Sequence, residues 1–187
     1  MQKKIYSYYE AIPSVEQREE FSCANLWKGS WENNGWECVM LNKTHTSSSP
    51  LFRELVGKML KVEKMTAPVM SRFSRWCALH AVGGGWMSDY DVLNLGFSPK
   101  EAEENEVLHP LQLVAGEKSY IFYATADKAE QVIRNFINES ILNDGVPVPE
   151  SNIVKETFFS PDFSSLFHPG KDEEKTKSQQ MAEKIAG

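Results

Sequence analysis

The hydrophobic positions of this chain change their spacing several times, which predicts alternating strands and helices. Residues 4–9 are rich in β-branched and aromatic side chains, and residues 36–41 follow a turn at Asn33-Asn34-Gly35, so we predict a strand in each. Two further strands are predicted at residues 108–114 and 119–125, and one more at residues 153–159. The apolar segments between these strands have a longer period.

Apolar residues spaced three and four positions apart predict four helices, at about residues 14–26, 50–64, 68–82 and 127–143. Strands that alternate with helices are typical of an α/β fold with a mostly parallel central sheet flanked by helices. Ligands bind at the carboxyl ends of the strands in such sheets. We therefore looked for functional residues directly after predicted strands.

The remaining segments are polar or charged. We predict loops at residues 44–49 and 101–106, and a charged surface helix or tail at residues 171–187. Residues 1–170 are therefore predicted to form a single domain.

Composition narrows the possible function classes. The formal net charge is −6, whereas nucleic-acid-binding domains carry a basic surface, so we expect no nucleic-acid partner. No run of about 18 apolar residues is present, and no membrane span is expected. With no signal-peptide-like apolar segment at the start and three widely spaced cysteines, we expect reduced thiols and a soluble cytoplasmic protein.

Two aspartates, Asp89 and Asp91, lie two positions apart near the end of residues 86–95, which we predict to be a strand. On a regular strand their side chains would point to the same side of the sheet. Two carboxylates that are close together need a counter-charge, or one of them takes up a proton. Carboxylate oxygens are suitable ligands for Mg²⁺ and Mn²⁺, so the pair predicts a divalent-metal site.

Two motifs surround this pair: RWCAL at residues 75–79 and GGWMSDYDV at residues 84–92. In this order they resemble the DXD-containing glycosyltransferases of the GT-A fold. The nearest pattern is that of the yeast initiating mannosyltransferases and the capsular polysaccharide synthesis enzymes. The resemblance is specific over residues 71–92 and diffuse elsewhere.

The resemblance implies a GT-A-like single domain and a glycosyltransferase activity. Such an enzyme moves a sugar from a nucleoside-diphosphate sugar to a glycan or glycoprotein acceptor and uses Mn²⁺ or Mg²⁺. It implies that Asp91 binds the metal and that Asp89 reaches the metal or the ribose. It also implies His168 as a further metal ligand, for which His109 is the alternative, and Tyr90 as part of the nucleotide-sugar site.

Four further residues are implied as contacts to the nucleotide sugar. Tyr6 and Tyr8 in the first strand are candidates to stack on the base, and core packing is the alternative for each. Arg75 is a candidate for the diphosphate or ribose, and an ion pair with a carboxylate of the Asp89/Asp91 pair is its alternative. Lys171 is a candidate for the diphosphate.

The catalytic base remains open at this point. An inverting enzyme needs a general base for the acceptor hydroxyl, and Asp127 and the acidic segment 101–106 are candidates. Asp127 is equally suited to capping the helix that it begins. A retaining enzyme would need neither.

Two other functions compete with the transferase. In a non-catalytic carbohydrate-binding module, Trp27, Trp31 and Trp36 could stack on sugar rings. In a metal-dependent phosphotransfer enzyme, the first aspartate of the pair would be the nucleophile, although in the haloacid-dehalogenase-like phosphatases that motif follows the first strand.

Overall fold

A computed structural model describes residues 2–10, 17–62, 65–108, 111–113 and 121–139. Five strands and six helices lie in these ranges. The strands are β1 (Lys4–Tyr8), β2 (Glu37–Leu41), β3 (Gly84–Ser88), β4 (Leu111–Leu113) and β5 (Ile121–Thr125). The helices are α1 (Gln17–Glu32), α2 (Lys43–Ser48), α3 (Phe52–Met59), α4 (Ala67–Ala81), α5 (Pro99–Leu108) and α6 (Ala126–Glu139).

The strands form one mixed sheet in the order β2-β1-β3-β5-β4. Strand β1 is parallel to both β2 and β3, whereas β5 is antiparallel to both β3 and β4. The prediction of an α/β fold with helices around a central sheet is confirmed. The expectation of a mostly parallel sheet is wrong for the two pairings of β5, with β3 and with β4. Between β4 and β5, residues 114–120 are too few for the crossover helix that parallel neighbours require.

Two segments predicted as loops are helical. Residues 44–49 lie mostly in α2, where the Asn42 side chain accepts a hydrogen bond from the backbone N–H of Thr44 at 3.0 Å. Residues 101–106 lie in α5, where the carboxylate of Glu101 accepts hydrogen bonds from the backbone and hydroxyl of Ser98. Both are reciprocal capping arrangements, which stabilise a helix start in a sequence that is otherwise polar.

The predicted strand 86–95 begins earlier and is shorter than expected. Gly84 and Gly85 belong to β3, and the strand ends at Ser88. The backbone turns directly afterwards, with the N–H of Val92 donating to the carbonyl of Asp89 at 3.1 Å. The aspartate pair therefore lies in a turn beyond the strand. The predicted strand at 153–159 and the tail at 171–187 lie outside the described residues.

Apolar side chains on the two faces of the sheet form two clusters. The first cluster packs β1, β3 and β5 against α3, α4 and α6, and includes Trp76, Leu79, Phe122 and Phe136. The second cluster packs the other face against α1 and α5, and it is built around Trp27, Trp31, Trp36 and Trp86. Among the helices in the described ranges, none is long and apolar enough to cross a membrane.

Candidate functional site

The aspartate pair lies at the carboxyl end of β3, beside the carboxyl end of β1. The two strands run parallel, and their register pairs Tyr6 with Met87. Tyr8, the last residue of β1, and Asp89, the first residue after β3, therefore lie at the same edge of the sheet. The parallel pairing of β1 and β3 thus places candidate site residues from both strands at the same edge of the sheet.

Asp89 forms a largely buried ion pair with Arg75 from helix α4. The Nη1 atom of Arg75 lies 2.5 Å from Oδ1 of Asp89, and the side chains are 8% and 26% exposed. The guanidinium also lies 5.7 Å from the ring centre of Phe122. Of the two possibilities that the sequence left open for Arg75, this geometry matches the ion pair with the aspartate motif.

Asp91 differs from Asp89 in both exposure and pairing. It is exposed, and none of the ion pairs within the described ranges includes it. Partial burial of its carboxylate raises the pKa of Asp91, and the negative charge of Asp89 raises it further. A divalent cation is the kind of partner that would relieve both effects.

Asp89 and Asp91 supply two carboxylates, the type of donor that divalent cations accept. Within the residues that the structure describes, no group of three or more His, Cys, Asp or Glu side chains could hold a metal ion. Asp89 and Asp91 would therefore need ligands from elsewhere, such as phosphate oxygens and water. The other predicted contacts at this site, His168, Lys171 and the alternative His109, lie outside the described residues.

Buried tryptophans hold the segment that contains the aspartates. The indole N–H groups of Trp27, Trp31 and Trp36 donate to residues of this segment. The acceptors are Ser88 Oγ at 2.7 Å, the Val92 carbonyl at 3.0 Å and the Phe97 carbonyl at 2.9 Å, respectively. All three rings are at most 1% exposed, so they offer no stacking surface to a sugar.

Asn94 and Tyr90 complete the packing of this segment. The buried Asn94 side chain accepts from the backbone N–H groups of Gly96 and Phe97 and donates to the Phe97 carbonyl, which fixes a tight turn. The Tyr90 ring packs edge-on against Tyr9 at 5.9 Å. Tyr90 is half-buried against the tryptophan cluster, which limits the part of it that could reach a nucleotide sugar.

The sequence interpretation missed this anchoring role. It read the tryptophans as possible sugar platforms and gave Asn94 no role. The predicted helix ended at about residue 26, whereas α1 extends to Glu32 and includes both residues. The four-residue spacing of Trp27 and Trp31 was the available signal, because residues so spaced lie on one face once the helix continues. Their hydrogen-bond acceptors lie 61 residues along the chain and have no local signature.

A cavity of about 600 Å³ opens at the carboxyl end of β1. Its apolar wall comes from α3 and the start of α4, with Phe52, Val56 and Met70 among the lining residues. Two exposed cationic side chains, Lys43 and Arg53, also line it. Volume and lining are typical of a small-molecule site, which is mostly apolar with a few polar groups.

The polar end of the cavity is built from Tyr8, Thr46 and Ser74. The hydroxyl of Tyr8 donates to the carboxylate of Glu10 at 2.9 Å and accepts from the hydroxyl of Thr46 at 3.1 Å. Burial raises the pKa of Tyr8 well above its ordinary value, so the hydroxyl remains neutral. Tyr8 therefore lines a cavity at the expected strand end.

Tyr6 and Asp127 lie away from this edge. The ring of Tyr6 covers Gly85 so closely that a Cβ there would lie 2.8 Å from Cε2 of Tyr6, which is core packing within the sheet. Asp127 follows Thr125, and β5 pairs Thr125 with Gly84 at the opposite end of β3 from Ser88. The structure thus does not bring Asp127 to the aspartate pair; it lies in the first turn of α6.

Comparison with known proteins identifies a family for this chain. The family model described as "Domain of unknown function (DUF8765)" matches residues 1–146, which include the sheet, the aspartate turn and the cavity. No curated protein and no solved structure matches the chain.

Proposed function

We propose that this chain, which belongs to the DUF8765 family, is a metal-dependent glycosyltransferase. It would move a sugar from a nucleoside-diphosphate sugar to a glycan or glycoprotein acceptor and use Mn²⁺ or Mg²⁺. The observation that carries the proposal is the arrangement at the edge of β1 and β3. There an exposed Asp91, which has no ion-pair partner within the part of the chain that the structure describes, stands beside the Arg75–Asp89 ion pair.

In this proposal the aspartate turn and the cavity would serve as two parts of one ligand site. Asp89 and Asp91 would hold the cation, which would neutralise charge on the departing diphosphate. Arg75 fixes one oxygen of Asp89 and so orients that carboxylate. The cavity lined by Tyr8 and Ser74 is large enough for the nucleoside part, with hydroxyl groups at one end to pair with polar base or ribose atoms.

The sequence resemblance and the geometry support the proposal independently. The resemblance rests on the two motifs at residues 75–79 and 84–92, which lie on different elements. Arg75 of the first and Asp89 of the second are in direct contact. The ion pair also disfavours the phosphotransfer alternative, because a carboxylate bonded to a guanidinium is a weaker nucleophile than one without a counter-charge.

The test is a panel of nucleoside diphosphates and nucleotide sugars, each with and without Mn²⁺. We expect Mn²⁺-dependent thermal stabilisation by at least one nucleoside diphosphate, and release of that diphosphate from its sugar derivative. Asp91→Asn should abolish both. Glu37→Gln is the matched control, because it removes one carboxylate from an exposed ion pair with Lys4 at the start of β2.

Two results would refute the proposal. One is full diphosphate release by the Asp91→Asn variant with the metal removed. The other is stabilisation by free sugar without nucleotide or metal, which would favour a binding module instead.

A further inference from the structure

Two tryptophans of helix α1 bracket the aspartate motif. The indole N–H of Trp27 donates to Oγ of Ser88, the residue before Asp89, at 2.7 Å. The indole N–H of Trp31 donates to the carbonyl of Val92, the residue after Asp91, at 3.0 Å. The donors are four residues apart on one helix and the acceptors are four residues apart on the turn, so one helix face matches both ends of the motif.

The bracketed turn also has an internal constraint. The backbone N–H of Val92 donates to the carbonyl of Asp89 at 3.1 Å. Trp27 and Trp31 are 1% and 0% exposed, so water cannot easily replace the indole bonds if they break. Both ends of the turn are therefore fixed to a helix that packs on the opposite face of the sheet from the cavity.

We infer that Trp27 and Trp31 are positioning residues that hold the carboxylates of Asp89 and Asp91 in the geometry required by a divalent cation. This inference rests on the proposed function for the metal. The structural part of the inference, that the indole hydrogen bonds fix the turn, holds without the proposed function. Residues that orient metal ligands through a second layer of hydrogen bonds typically alter metal affinity or activity by about 10- to 100-fold when changed.

Trp36 provides a matched control. It belongs to the same buried cluster and is 0% exposed, and its indole N–H donates to the Phe97 carbonyl at 2.9 Å. Its acceptor lies beyond the aspartate motif. Changing Trp36 to Phe therefore removes the same atoms from the same cluster while leaving both ends of the turn bonded.

The first experiment measures backbone amide hydrogen exchange across residues 88–93 in the Trp27→Phe, Trp31→Phe and Trp36→Phe variants. We expect faster exchange in this segment for the first two variants and near wild-type exchange for the third. Ser88→Ala repeats the Trp27 test with a smaller change, in case the tryptophan variants fold poorly. Wild-type exchange in both Trp27→Phe and Ser88→Ala would overturn the inference that the indole hydrogen bonds fix the turn.

The second experiment titrates Mn²⁺ in the presence of inorganic pyrophosphate and follows free Mn²⁺ by electron paramagnetic resonance. We expect about 10- to 100-fold weaker binding in Trp27→Phe and Trp31→Phe and near wild-type binding in Trp36→Phe. Equal weakening in all three variants would overturn the positioning role, because it would reflect general loosening of the cluster.

If the wild-type protein binds no Mn²⁺ with pyrophosphate or with any nucleoside diphosphate, the proposed function fails. The positioning of metal ligands then fails with it, while the hydrogen-exchange result still decides whether the indole bonds fix the turn. The two failures are thus distinguishable.

Discussion

Asp91 and Asp89 lie two residues apart and have opposite electrostatic environments. Asp89 is neutralised by the guanidinium of Arg75, whereas Asp91 is partly desolvated next to the charge of Asp89. The ionised form of Asp91 is therefore disfavoured in the folded protein without a bound cation. A site that costs folding free energy when empty is typical of ligand-binding residues.

We predict that Asp91→Asn stabilises the protein without metal at pH 7. The pKa of Asp91 is raised in the folded state, so folding stability decreases as the pH rises from the ordinary carboxyl pKa of 3.8 through the higher folded value. The asparagine variant avoids this loss. Its advantage over wild type in the free energy of unfolding should be present at pH 7 and should shrink as the pH falls toward 4, as measured by urea denaturation.

Adding Mn²⁺ with the preferred nucleoside diphosphate should reverse this order, because only the wild type gains binding energy. The expected pKa effect would be contradicted if Asp91→Asn were less stable than wild type without metal, and by the same amount at pH 7 and at pH 4.

At the scale of single residues, sequence reasoning proposed the aspartate pair as the metal site and left the partner of Arg75 open. Asp89 and Asp91 were predicted because carboxylate spacing after an apolar segment is a local pattern. The pairing of Arg75 with Asp89 was one of two possibilities, since it depends on how α4 packs beside β3. The roles of Trp27 and Trp31 could not be derived, because their acceptors become neighbours only when α1 packs on the sheet.

At the scale of elements, the three glycines that follow α4 have two different structural roles. Gly83, Gly84 and Gly85 all have positive φ angles, of 90°, 85° and 138°. Gly83 lies in the turn, with open space where a Cβ would be. Gly84 lies in β3, where a Cβ would be 2.5 Å from the carbonyl oxygen of Ala124 on β5. Neighbouring atoms therefore leave no room for a side chain at Gly84 or Gly85, whereas Gly83 has room and only its positive φ favours glycine.

We predict that Gly84→Ala destabilises the protein far more than Gly83→Ala. Both variants carry the backbone strain of a positive φ, about 1–2 kcal/mol for an L-residue. Gly84→Ala adds a clash with the backbone of β5, for a total of about 2–5 kcal/mol. Chemical denaturation of the two variants measures the difference, and equal losses would mean that β3 and β5 do not approach as closely as described.

The elements themselves were predictable where hydrophobic periodicity decides them. Strands β1, β2 and β5 and helices α4 and α6 were confirmed near their predicted positions. Helices α2 and α5 were missed because their sequences are polar and their stability comes from capping side chains such as Asn42 and Ser98. The early end of β3 was missed because polar and apolar residues still alternate over residues 89–92, as in a strand.

At the scale of the whole molecule, one sheet joins two apolar clusters. The direction of β5 was not predictable from periodicity, because an antiparallel and a parallel strand can have the same apolar pattern. The sheet has consequences for cooperativity. Four of the five tryptophans, Trp27, Trp31, Trp36 and Trp86, lie in the second cluster, and the cavity and helix α6 lie on the other face.

We predict that Phe136→Ala, a change in the first cluster, lowers the unfolding midpoint reported by the tryptophans of the second. Phe136 is 0% exposed, and its ring stacks on that of Phe73 with centroids 3.6 Å apart. Its loss should cost about 3–5 kcal/mol. Four of the five tryptophans lie in the second cluster and Trp76 in the first, so the fluorescence signal comes mainly from the second cluster. Because both clusters share β1 and β3, tryptophan fluorescence and far-ultraviolet circular dichroism should report the same lowered midpoint. Leu95→Ala is the control, since Leu95 is 96% exposed and should change stability by less than about 0.5 kcal/mol.

A fluorescence transition that stays at the wild-type midpoint while the dichroism transition moves would mean that the two faces unfold separately. The aspartate turn, held from the tryptophan face, would then remain intact after the cavity on the other face had been lost.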